Sequence, residues 1–168
     1  MSDDYVMWLE VKNRINTKTN GNIDLIVLGD STGKSNFIPN KLKKINSINL
    51  SIVGGSPVEG YFTLKTYLKN NPIPKKIIFT YTPMYLSGET SYWIRTVPFE
   101  FLAGNEYEEI EQLALQLDEQ SILEKNKSFT DYKSPVAYGS NFKNGIRDMR
   151  WLRNKTILEE SHLSKGHQ

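Results

Sequence analysis

The residues best placed to do chemistry are Gly29-Asp30-Ser31-Thr32-Gly33-Lys34-Ser35, directly after the apolar run 23–28. Two chemistries are open to this stretch. Gly33-Lys34-Ser35 ends the way a phosphate-cradling loop ends, with a lysine set to meet a nucleotide's phosphates. Gly29-Asp30-Ser31 instead puts a hydroxyl on the turn that leaves a buried strand. There a serine can attack an acyl carbon, provided a base takes its proton and fixed donors meet the oxyanion.

Spacing decides against the phosphate loop. The pattern G-x-x-x-x-G-K-[ST] curls enough consecutive N–H groups around a phosphate, and its first glycine would fall at position 28, which is Leu28. Pro39 then interrupts the helix whose N-terminus should face the phosphates. The apolar stretch that should deliver a magnesium-supporting aspartate ends instead in Thr80-Tyr81-Thr82-Pro83. The nucleophile reading is the stronger one.

Three strands must position it. Residues 23–28 form a short apolar run bounded by turn residues, which suits a central strand buried on both faces. Residues 45–53 alternate apolar and polar, the mark of a less buried edge strand. Residues 76–82 are apolar, aromatic and β-branched, and Pro83 stops them. Ser56, Pro57 and Glu59 read as N-cap, first helical position and capping-box acid of a helix running to Asn70. Strand, crossover, strand, helix, strand predicts an α/β fold with a short parallel sheet in the flavodoxin-like order 2-1-3. Its ligand crevice lies at the carboxyl ends of the strands, where Ser31, Gly54-Gly55 and Thr82 would meet.

Before the core, residues 1–22 read as a short helix with Met7, Leu9, Val11 and Ile15 as its apolar positions, followed by a polar turn. After it, residues 87–168 read as irregular and then helical, with helices at 106–124 and 141–155 and a polar loop at 125–140. The glutamates of the first of these helices and the arginines of the second, Arg147, Arg150 and Arg153, either pair with each other or, the stronger reading, are solvated faces. The whole is one domain, with its α/β core at 23–86.

The segments LIVLGDS (25–31) and INLSIVGGS (48–56), with KKIIFTYTP placed as a third strand, resemble the opening blocks of the SGNH, or GDSL-type, hydrolase and acyltransferase superfamily. GGSPVEGYFTLKTYLK with that strand is similar to SGNH-like proteins encoded beside bacterial surface-polysaccharide genes. The resemblance spans residues 24–86 and implies a serine esterase or O-acyltransferase working through an acyl-enzyme. Its substrates would be acyl esters, acetyl among them, carried on carbohydrate. It implies Ser31 as nucleophile, the amides of Ser31 and of Gly54 or Gly55 as oxyanion donors, Asp30 as turn support, and neither cofactor nor metal. The family's third block supplies an asparagine where this chain has Thr82-Pro83-Met84-Tyr85. Its base is a histidine three residues after an aspartate, and the nearest match is His162 behind Glu159. The fourth and fifth strands expected before that histidine have no counterpart, which reads as an SGNH domain cut short. His162 and His167 are then tail residues, or His162 is the base.

Other readings stay open beside these. Ser31 can serve as a helix cap instead of a nucleophile, and Gly54 and Gly55 make a tight turn under either reading. A catalytically inactive SGNH-like module that binds a glycan or a protein partner is the alternative to the enzyme, with a nucleotide-binding protein behind it. Tyr81, Tyr85, Tyr92 and Trp93 read as packing residues or as the lining of a sugar cleft. Lys34 reads as a solvated lysine. A net charge of +2 is too small to point to nucleic acid, and without cysteine there is no disulfide and no thiolate chemistry. No apolar run reaches membrane-spanning length. Compartment, cytoplasmic or cell envelope, and oligomeric state are not written in these features.

Overall fold

A computed structural model of the 168-residue chain describes residues 3–86, 92–123 and 150–166. The apolar, β-branched run in the middle of the core forms β1 (Leu25–Gly29), whose five residues are all buried. Parallel strands flank it, β2 (Ser47–Asn49) on one side and β3 (Lys76–Thr80) on the other, in the order β2-β1-β3. The expected α/β sheet is therefore present, with β1 starting two residues and ending one residue later than its apolar run, and β2 much shorter than its alternating pattern.

Helices hold the sheet. Chain order gives α1 (Asp3–Asn16), α2 (Ser31–Asn36), α3 (Pro57–Asn70), α4 (Pro83–Leu86), a π-helical turn at Tyr92–Thr96, α5 (Gly104–Leu117) and α6 (Arg150–Leu163). α3 begins on the capping box read in the sequence: Glu59 accepts from the Ser56 N–H and hydroxyl, both at 2.6 Å. Glu59 is fully buried, and the Thr96 hydroxyl binds its other oxygen, tying the π-helical turn to the start of α3. α1 is a full helix whose buried face is Val6, Trp8, Val11 and Ile15, so Trp8 takes the place expected of Met7 and Leu9. The core proper is Ile26 and Leu28 of β1 with Trp8, Leu50, Phe62, Tyr67, Val97 and Ile110 around them.

Several local expectations are corrected by packing. β2 is buried throughout, because the chain leaving α6 closes over its outer edge, where the Asn49 N–H donates to the Lys165 carbonyl at 3.2 Å. The less buried edge is β3. The α5 acids are not all solvated. Glu106 is buried, accepting from the Ala103 N–H at 2.9 Å at the start of α5, and Glu109 pairs with Lys65 of α3. Of the helix expected at 141–155 only residues from 150 onward are described, and they run on to Leu163. The loop at 125–140 lies outside the described residues.

One buried asparagine joins sheet to helix. Asn49 Nδ2 donates to the carbonyls of Gly33 (2.9 Å) and Phe37 (3.0 Å), and its Oδ1 accepts from the Ser51 N–H at 3.0 Å. The side chain is fully buried, so removing it strands backbone groups that water cannot reach. Asn49→Ala is expected to lower unfolding stability by about 2–3 kcal/mol in a denaturant titration. A loss no larger than that of an exposed-site control would show that these bonds do not hold α2 to the sheet.

Candidate functional site

The candidate site stands where β1 ends. Asp30 follows the last strand residue and caps α2, its Oδ1 accepting from the Thr32 N–H at 2.8 Å. Its Oδ2 accepts from both the N–H (2.7 Å) and the hydroxyl (2.8 Å) of Thr82, just past β3. One fully buried carboxylate therefore grips the carboxyl ends of the neighbouring strands β1 and β3. Burial alone would push this carboxyl up. The hydrogen bonds from Thr82 and Thr32 outweigh it and hold the group below its usual range.

Ser31, the first residue of α2, is exposed at this edge. Glycine lets the turn close behind it. A Cβ on Gly29 would stand 2.6 Å from the Thr80 carbonyl oxygen, and one on Gly33 would stand 2.5 Å from Ser51 Oγ. The Ile52 N–H donates to the Gly29 carbonyl at 2.8 Å, so Ser31 and Gly54 each lie two residues beyond the same bond. Gly54 adopts φ +67°, in the left-handed region, and the Arg95 guanidinium carbon stands 3.0 Å from where its Cβ would be. Arg95 Nε is in turn held by Asp4 at 3.0 Å. The Gly55 N–H donates to the Ile52 carbonyl at 2.9 Å, which closes its own turn instead of facing the crevice.

The histidine that the resemblance offers as a base is not brought to this edge. His162 lies on α6 and lines a cavity of about 980 Å³ with Glu10, Asn46, Ser47 and Ile48. Asn46 and Ser47 sit beside the start of β1, since Leu25 pairs with Ser47. Ser31 is five or more residues farther along, roughly 15–20 Å at strand rise. His167 lies outside the described residues. Among the described residues no side chain hydrogen-bonds the Ser31 hydroxyl, and none form a group of three or more acids and histidines able to hold a metal ion.

Lys34 is not solvated. It is buried to 1% exposure, 3.6 Å from Glu10 Oε2, with Glu10 bound in turn by Arg14 Nε at 2.6 Å. Burial drives its ammonium down from its ordinary range against the pull of Glu10. A lysine that serves phosphates must stand at the loop mouth, and this one points into the core. Only the Glu10–Arg14 helical spacing hinted at the cluster; that α2 would reach it left no mark in the sequence. Thr82 was expected at this edge, but its bonds to Asp30 left no mark in the sequence, since the two residues are 52 apart.

The aromatic residues divide. Tyr92 is buried and meets Trp93 edge-to-face at 5.0 Å between ring centroids, and burial pushes its hydroxyl up to about 12. Tyr81 lays its hydroxyl where a Cβ of Gly60 would be, and burial pushes it above its ordinary range. Both are packing residues here. Tyr85 is half-buried in α4.

No family model, curated protein or solved structure matches this chain. No helix among the described residues is long and apolar enough to cross a membrane.

Because the Asp30 carboxyl is held low in the folded state, its stabilisation is complete above the ordinary carboxyl range and fades as pH falls through its depressed value. Asp30→Asn keeps one acceptor but turns an amide N–H₂ toward the Thr82 donors. The variant is expected to lose about 1–3 kcal/mol at neutral pH and to show a shallower loss of stability on acidification than the wild type. Superimposable wild-type and variant stability profiles from pH 2 to pH 7, roughly the range over which a carboxyl titrates, would show that the clamp is not ionised in the fold.

Proposed function

We propose that this chain is an SGNH-like acyl-transfer module with Ser31 as its nucleophile. The observation that carries the reading is an exposed serine hydroxyl on a turn locked by Asp30, at the carboxyl edge between β1 and β3. In the proposed step Ser31 Oγ attacks an ester carbonyl and the alcohol leaves, carrying a proton. The acyl-serine then passes its acyl group to water or to an acceptor hydroxyl. The Ser31 and Gly54 amides are the candidate oxyanion donors, while the Gly55 N–H closes its own turn on the Ile52 carbonyl. An acyl ester on carbohydrate, acetyl among the acyl groups, is the substrate class that the sequence resemblance suggests.

A second reading has its own observation. Among the described residues nothing hydrogen-bonds the Ser31 hydroxyl, and His162 lies toward the other end of the sheet, which favours a module that binds a glycan or protein partner without turning it over. A fluorophosphonate probe separates the two. The enzyme reading expects covalent labelling of the wild type, none of Ser31→Ala, and aryl-acetate hydrolysis lower in that variant by about 10³-fold or more. A folded wild type that takes up no probe sinks the nucleophile and leaves the binding module.

A further inference from the structure

The two outer edges of the sheet are treated differently. That of β2 is closed by the chain leaving α6, whereas β3 has no neighbour among the described residues. Parallel sheets are ordinarily covered on both faces, yet Ile78 is 41% and Phe79 62% exposed, one on each face of β3. The backbone on the open side is also available. The Lys76 N–H donates to the Asp24 carbonyl and the Thr82 N–H to Asp30, so even-numbered residues turn their peptide groups toward β1. Ile77 and Phe79 therefore direct theirs outward. Within the strand no proline or bulge guards this edge, and its one charge is Lys76 at the first position.

The strand is self-complementary. Set antiparallel to a copy of itself about a two-fold axis at Ile78, it places Ile77 opposite Phe79 as a hydrogen-bonded pair and Lys76 opposite Thr80, with no like charges facing. Ile73, 83% exposed before the strand, and the half-exposed Met84 beyond it add apolar surface at the two ends of this edge. Ile73, Ile78, Phe79 and Met84 leave on the order of 400–500 Å² in the open per copy, so a symmetric pair has at most about 1,000 Å² of this surface to cover, the lower bound of a specific interface. We propose that two copies of this chain pair through β3, forming a continuous six-stranded sheet of order 2-1-3-3-1-2. The two Ser31 edges then point in opposite directions, so the pairing is independent of the role of Ser31.

A chain without native cysteine allows a clean test. Ile78 would sit opposite its own copy at a non-hydrogen-bonded site, where Cα atoms stand about 4.5 Å apart and a disulfide closes. Under mild oxidation Ile78→Cys is expected to become a covalent dimer and Lys76→Cys to stay uncrosslinked. In light scattering the wild type is expected at twice the 19.3 kDa of one chain and Phe79→Asp at the single mass with an unchanged circular dichroism spectrum. A wild type that stays monomeric at high micromolar concentration overturns the proposal. So does a dimer in which Ile78→Cys fails to crosslink. A monomer whose Ile77 and Phe79 amides resist hydrogen exchange also overturns it, and shows that another part of the chain covers the edge.

Discussion

The buried carboxylate of Asp30 is the constraint on which the candidate site rests. It accepts three hydrogen bonds from two chain segments, one opening α2 and the other leaving β3, and has no access to water. A carboxylate taken out of water is stable only when its lone pairs are filled. The same demand that fixes its protonation state therefore fixes the turn. Ser31 owes its exposed position to that turn, and Thr82 ties the end of β3 to it.

Asn49 does for the other side of β1 what Asp30 does for this one. Its amide crosslinks β2 to the carbonyls of α2, while Gly29 and Gly33 let Thr80 and Ser51 come within distances a side chain would forbid. The strand-to-helix turn is thus held from both flanks by short polar side chains and closed from behind by missing ones. A rigid turn with an outward hydroxyl suits a nucleophile and equally a fixed contact to a bound partner. What the described residues do not bring to it is a base.

Neither Lys34 nor His162 serves this edge. Lys34 leaves the same helix as Ser31 but points inward to Glu10 and Arg14, and His162 looks onto a cavity at the start of the strands. Residues only three apart thus meet different surroundings, Ser31 exposed as the first residue of α2 and Lys34 buried against Glu10.

Much of the scaffold was legible in the chain. The unbroken apolar run of β1, the Ser56–Pro57–Glu59 start of α3 and the strand–helix spacing led to a parallel 2-1-3 sheet because these signals are local, fixed by periodicity and by the geometry of caps. The site was legible only as a cluster of types: Gly, Asp and Ser after a strand. Which lysine is buried, which edge is open, which glycine amide is already engaged and where the histidine lies depend on contacts between residues tens of positions apart. No spacing along the sequence encodes those partners, because burial and hydrogen bonding are settled by which surfaces meet once the chain has packed. The sequence alone determined the layered α/β framework and the turn that carries Ser31. Tertiary structure decided that Asp30 clamps this turn to β3, that Lys34 faces inward and that β3 is left exposed, since each is a matter of which distant groups exclude water together.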